Sequence, residues 1–136
     1  MKTEENKALL VKYNKEVIEN GDMNFFREIA TSDFLNHSAP EGMPSSIDGV
    51  IYFFTNILHA AFSEIKVEVL DMIAEGDKVV TRKLISGTHT GDLFGIAPTG
   101  KNVEIKVIDI FTVYDGKLKE HWGENNFGEV IQSLKG

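Results

Sequence analysis

The sequence predicts an α+β fold, with helices packed on one face of an antiparallel sheet, and three features of the chain lead there. Up to Ala61 the apolar residues recur at helical spacing. From Glu64 onward they alternate with polar ones, as on half-buried strands. Within the alternating part, Glu75-Gly76-Asp77 and Asp115-Gly116 supply turn residues where strands must reverse. Helices first and a strand meander second favour separate layers over the alternation that a parallel sheet requires.

Each element has its own signal. Leu10, Tyr13 and Val17 form one stripe of a first helix, while Glu4, Lys12 and Glu19 lie off it. Asn20-Gly21-Asp22 stops that helix, and Asp22 is placed to cap a short second one, Met23 to Ala30, with Phe25, Phe26 and Ile29 on its apolar face. Phe34 to Pro44 shows no period and reads as the longest loop. Ser45 followed by Asp48 resembles a capping box, after which Ile47, Val50, Ile51, Phe54, Leu58 and Ala61 mark a third helix. Ile65, Val67 and Val69 begin the strands, followed by Val79 to Thr90, Val103 to Tyr114 and Lys117 to Asn125. Glycines at 87, 91, 95 and 100 break up the connection before the third of these, and a short helix, Gly128 to Leu134, comes after the last.

Composition narrows the function classes. At 136 residues the chain suits one domain with a real core, spanning residues 1–136. Lys and Arg number 14 against 21 Asp and Glu, a net charge of −7 that disfavours a nucleic-acid partner. The absence of cysteine removes disulfides, thiol nucleophiles and thiolate metal sites together. Met1 to Asn20 is too charged for a signal peptide, and no apolar run approaches the ~18 residues of a membrane span, so a cytoplasmic protein without membrane association is expected.

One strand carries a misfit. Val103, Ile105, Val107, Asp109, Phe111 and Val113 share a face, which puts one carboxylate in an apolar row. Loss of hydration raises such a carboxyl's pKa unless a donor or cation compensates, and a raised value suits acid/base work near neutrality. The structural alternative is a buried aspartate held by a partner such as Arg82 or a histidine. Among the four histidines, His37, His59, His89 and His121, none has zinc-motif spacing, and no metal is expected. His121 lies one hairpin from Asp109, where cross-strand neighbours meet. Gly87-Thr88-His89-Thr90-Gly91 lacks the spacing of a phosphate loop, and Ser45 and Ser46 sit in no nucleophile elbow. On the opposite face of the Asp109 strand, Ile108 and Ile110 are also apolar and call for a second cover, most simply a twofold mate.

Taken together, Phe34-Leu35-Asn36-His37, Ile73-Ala74-Glu75-Gly76-Asp77-Lys78-Val79, Gly87-Thr88-His89-Thr90-Gly91, Pro98-Thr99-Gly100-Lys101 and Asp115-Gly116-Lys117-Leu118-Lys119-Glu120-His121-Trp122 resemble the SnoaL-like polyketide cyclases, also described as predicted ester cyclases. The resemblance runs from about Leu9 to Leu134. It implies the nuclear-transport-factor-2-like (NTF2-like) cone, in which a strongly curved sheet and its helices enclose one apolar cavity, usually in a homodimer. It also implies ring closure by an intramolecular aldol reaction without metal or cofactor. The family's catalytic aspartate, directly after the His-Trp pair, falls on Gly123, and its histidine partner, fourteen residues earlier, falls on Asp109. Either the acid has moved across the hairpin or the cyclase chemistry is gone. Asn36 and His37 match a polar pair at the cavity mouth, and Asn126 stands where many relatives carry an aspartate.

The leading expectation is therefore cofactor-independent acid/base chemistry, such as aldol cyclisation, isomerisation or dehydration, on a small apolar carbonyl compound. Asp109 is the expected proton-transfer group with His37 or His121 as partner, in a pocket of Asn36, Phe25, Phe54, Arg82, Phe111, Trp122 and Asn126. The alternative is a non-catalytic dimer that binds a lipophilic small molecule, a reading that the glycine at 123 favours. The Asp109 pKa discriminates: a value well above the ordinary ~3.9 supports catalysis, and a normal or depressed one supports a structural ion pair.

Overall fold

The computed structural model describes residues 2–136. Helix α1 (Lys2–Lys12) runs on unbroken into a π-helical stretch, Tyr13–Glu19. After the turn at Gly21, α2 (Met23–Ile29) starts where Asp22 accepts the Phe25 amide at 3.0 Å. Helix α3 (Ile47–Tyr52) likewise widens into a π-helical stretch, Phe53–Leu58, before a last turn, His59–Ala61. Four strands come next, β2 (Phe62–Glu75), β3 (Lys78–His89), β4 (Asn102–Tyr114) and β5 (Lys117–Asn125), and then α4 (Phe127–Leu134).

The sequence pattern misses one strand. Ala30–Asn36 forms β1, which adds to the edge of the sheet parallel to β5, giving the order β1-β5-β4-β3-β2. Its burial does not alternate, because the pairing shifts register between Ala30 and Leu35 and the strand carries no period for a pattern to reveal. The expected capping box is also absent: Ser46, not Ser45, precedes α3, and its side chain makes no capping bond.

All other strand pairs are antiparallel, and their register decides which side chains meet on the inner face. Thr81 faces Asp109 across β3 and β4, and Asp109 faces Gly123 across β4 and β5. The β2–β3 ladder shifts register twice, at Ser63/Lys66 and Val69/Asp71, and such irregularities bend a sheet. The curved inner face takes the helices: Phe26 is fully buried, with ring centroids 5.6 Å from Tyr13, 5.9 Å from Phe34 and 6.1 Å from Phe54. The outer face is also partly apolar. Ile73, Val80, Ile110 and Trp122 form a row across four strands, and Ile108 beside it is 45% exposed.

The connection from β1 to α3 lies tight against the helix it enters. A Cβ on Gly49 would overlap the carbonyl oxygen of Pro44, which is backbone and has no rotamer to escape into. Gly49→Ala should therefore destabilise the fold by about 1–3 kcal/mol, against the usual gain from alanine in a helix. Urea denaturation measures this, and an unchanged or raised midpoint would show that the connection is free to move away.

Candidate functional site

Between the inner face of the sheet and the two π-helical stretches lies a cavity of about 550 Å³, walled mainly by apolar side chains. Phe54 and Phe111 are in its wall, as are Tyr13 and Ile18 from the first π-stretch and Phe53 and Ile57 from the second. A wider turn re-aims side chains that a regular helix would carry elsewhere, and such turns concentrate at functional sites. The polar part of the wall is small: Asn36 and Ser38 near the mouth, Lys83, Asp109 and His121 within, and Asn125.

Those inner groups form one connected chain. Asp109 Oδ2 lies 2.6 Å from Lys83 Nζ, and Oδ1 lies 2.7 Å from His121 Nε2. Lys83 also donates to Asn14 Oδ1 at 2.7 Å and sits 5.4 Å from the centre of the Tyr13 ring. At the other end, His121 Nδ1 lies 2.8 Å from Asn36 Oδ1, which also accepts the Ser38 amide at 3.1 Å. A backbone N–H only donates, so the amide oxygen of Asn36 must face this point, and His121 must donate to it from Nδ1. The other ring nitrogen is thereby the one left to exchange a proton with Asp109.

Burial alone pushes the Asp109 carboxyl up. The Lys83 charge and the hydrogen bond and charge of His121 overcome this and hold it at about 2, below the ordinary 3.8. The Tyr13 phenol goes the other way: burial, and then the Asp109 charge, raise it well above 10.0, so it stays protonated.

Gly123 belongs to the same geometry. A Cβ there would stand 3.0 Å from Asp109 Oδ1 and 2.9 Å from His121 Cε1, inside the space that the pair occupies. Where the resemblance places a carboxylate, at 123, this chain has a glycine, and the residue directly opposite is Asp109, for which the glycine leaves room.

Several expected site residues lie elsewhere. Arg82 points to the outer face and pairs with Asp71 at 2.6 Å; the cation at Asp109 is its neighbour, Lys83. The alternation of β3 carried that signal, since Val79, Thr81, Lys83 and Ile85 share the buried row. His37 does not reach Asp109: its ring stacks on Trp122, 4.4 Å between centroids, and its Nε2 meets Glu120 at 2.8 Å. Trp122 alternates with His121 along β5, so it too is outside the cavity. Phe25 is half-buried off the cavity wall, because the helical phase of α2 turns Phe26 inward instead. Asn126 accepts the Lys106 amide at 2.8 Å, and its neighbour Asn125 lines the cavity. Sequence reasoning also missed Asn14 and Ser38, neither of which stands out in any local pattern. Among the described residues, no three or more metal-ligating side chains are gathered as an ion would require.

The low Asp109 value ties the cluster to stability. A carboxyl held at about 2 stabilises the fold above its unfolded pKa, near 3.8, and the contribution is lost as pH falls towards 2. Asp109→Asn should cost about 3–5 kcal/mol at neutral pH, since it strands the buried Lys83 ammonium. That difference from the unsubstituted protein should shrink between about pH 4 and pH 2 in urea titrations. A pH-independent difference would mean that Asp109 is not held as an ion.

The arrangement can be set against known proteins. AclR of Streptomyces galilaeus, a proposed hydroxylase, shares 26% identity at a TM-score of 0.87, over 98% of this chain and 82% of that one. A proposed polyketide cyclase of Bacillus cereus shares 25% at 0.82, over 96% and 80%. IdmH of Streptomyces antibioticus, also a proposed polyketide cyclase, shares 25% at 0.82, over 96% and 99%. No curated protein matches the chain. These neighbours have the NTF2-like cone, and this curved sheet with its four helices matches it. The family model for SnoaL-like polyketide cyclases matches residues 8–134, and the chain belongs to that family.

Proposed function

We propose that the cavity carries out acid/base chemistry on a small apolar carbonyl compound, an aldol-type cyclisation or a related isomerisation or dehydration, with its own side chains moving the proton. The observation that carries this reading is the chain Lys83–Asp109–His121 at the wall of an otherwise apolar cavity. The roles differ from the sequence expectation. Asp109, held at about 2, falls on the ion-pair side of the criterion drawn from the sequence: it is too weak a base to be the proton-transfer group and serves as the ionised partner. His121, whose imidazole can both take and give a proton, is the proton-transfer group. Asp109 holds its Nε2 and Asn36 its Nδ1, so the ring is fixed at both ends and a proton passes to or from a ligand when one of these two hydrogen bonds opens. An apolar wall suits the step, because a carbon beside a carbonyl is deprotonated more readily when the resulting charge meets fixed donors instead of bulk water.

The test uses 1-tetralone, a small apolar ketone, in deuterated water. The protein should accelerate exchange of the protons beside the carbonyl, followed by NMR, and His121→Ala should lower the rate about 10²-fold or more while the ketone still binds. Binding with exchange at the background rate would replace this reading with that of a non-catalytic pocket protein.

A second copy of the chain is the proposed partner. The row of Ile73, Val80, Ile110 and Trp122, with Ile108 beside it, is the kind of outer face that a twofold mate covers. Light scattering at micromolar concentration should give twice the chain mass, and Ile108→Glu should halve it. A monomer before substitution would overturn the dimer.

A further inference from the structure

Donor and acceptor roles at the cavity mouth assign a job to Ser38. Its Oγ accepts the Gly123 amide at 2.9 Å, so the hydroxyl hydrogen remains to be donated. Asn36 Oδ1 already takes the Ser38 amide and His121 Nδ1, so what the Asn36 side chain still offers is its NH₂ group. Both residues line the cavity, and both are stitched to the segment of β5 that carries His121. The His37 amide adds a further stitch, to the His121 carbonyl at 2.8 Å. Inside, both Asp109 oxygens and both His121 nitrogens have partners and the Lys83 ammonium has two, while the protonated Tyr13 hydroxyl is a further donor in the wall. A ligand oxygen beside the His121 ring meets spare donors at the mouth, in Ser38 and Asn36.

We propose that Ser38 Oγ–H, with the Asn36 amide NH₂, binds the carbonyl oxygen of the ligand and receives the charge that develops on it when the neighbouring carbon loses its proton. This rests on the acid/base reading and goes one step further, since it orients the ligand with its oxygen towards the mouth and its hydrocarbon body in the apolar interior. The Gly123 amide matters twice here. By donating to Ser38 Oγ it turns the hydroxyl hydrogen away from itself, and in a chain of hydrogen bonds it strengthens the hydroxyl as a donor.

Calorimetric titration of two probes of nearly equal shape, 1-tetralone and tetralin, separates the oxygen from the hydrocarbon. Loss of one neutral hydrogen bond corresponds to about a fivefold change in affinity. Ser38→Ala should therefore lower the ratio of tetralone to tetralin affinity about fivefold, and Ser38→Thr, which keeps the hydroxyl, should restore it. A merely structural role in holding down the connection would weaken both probes alike and leave the ratio unchanged, which overturns the proposal. If neither probe binds the unsubstituted protein, the acid/base reading of the cavity fails and this assignment falls with it. Exchange on tetralone that persists with an unchanged ratio would overturn Ser38 alone.

Discussion

The buried pair of Lys83 and Asp109 is the interaction on which the site depends. Lys83 is 2% exposed and Asp109 5%, and neither charge is tolerable there alone, because removing an ion from water costs several kcal/mol even after the protein relaxes. Together, with Asn14 on the remaining side of the ammonium and His121 on that of the carboxylate, they are compensated. The pair also crosses the layers of the fold. Asn14 comes from the first π-helical stretch, Lys83 from β3, Asp109 from β4 and His121 from β5, so the same contacts that orient the imidazole hold helix to sheet.

Geometry around the pair arises from two backbone features. The bends in the β2–β3 ladder curl the sheet enough to leave a cavity instead of a filled core, and the π-helical stretches aim aromatic rings at its wall. Gly123 then provides a place on β5 where a carboxylate from the neighbouring strand and an imidazole from the same strand fit side by side. The carboxylate of the site stands on β4, and the register of a single hairpin sets it directly opposite Gly123.

Outside the cavity the polar residues have a different task. His37 lies flat on Trp122 and meets Glu120, and Lys78 stands 5.7 Å over the same indole. These contacts fasten the start of the β1–α3 connection to the outer side of β5, while its Asn36 and Ser38 reach the inner side.

The sequence by itself determined the layer order, the last three strands to within a residue or so and the inward row that contains Asp109, because these rest on periodicity and turn chemistry that act within a few residues. It also determined that Asp109 needed a partner, since a carboxylate in an apolar row demands one. Which partner it has was a matter of tertiary structure. Arg82 and Lys83 are adjacent and equally cationic; the alternation of β3 puts Lys83 in the inward row, and the β3–β4 register, which sets Thr81 opposite Asp109, brings it within reach of the carboxylate. The strand β1 was decided the same way, by a parallel pairing with β5 that no local pattern announces. So were the places of Asn14 and Ser38, which reach the site across 69 residues to Lys83 and 85 to Gly123. Separations of that length are closed by packing, and a side chain's local sequence carries no record of what packing will bring to it.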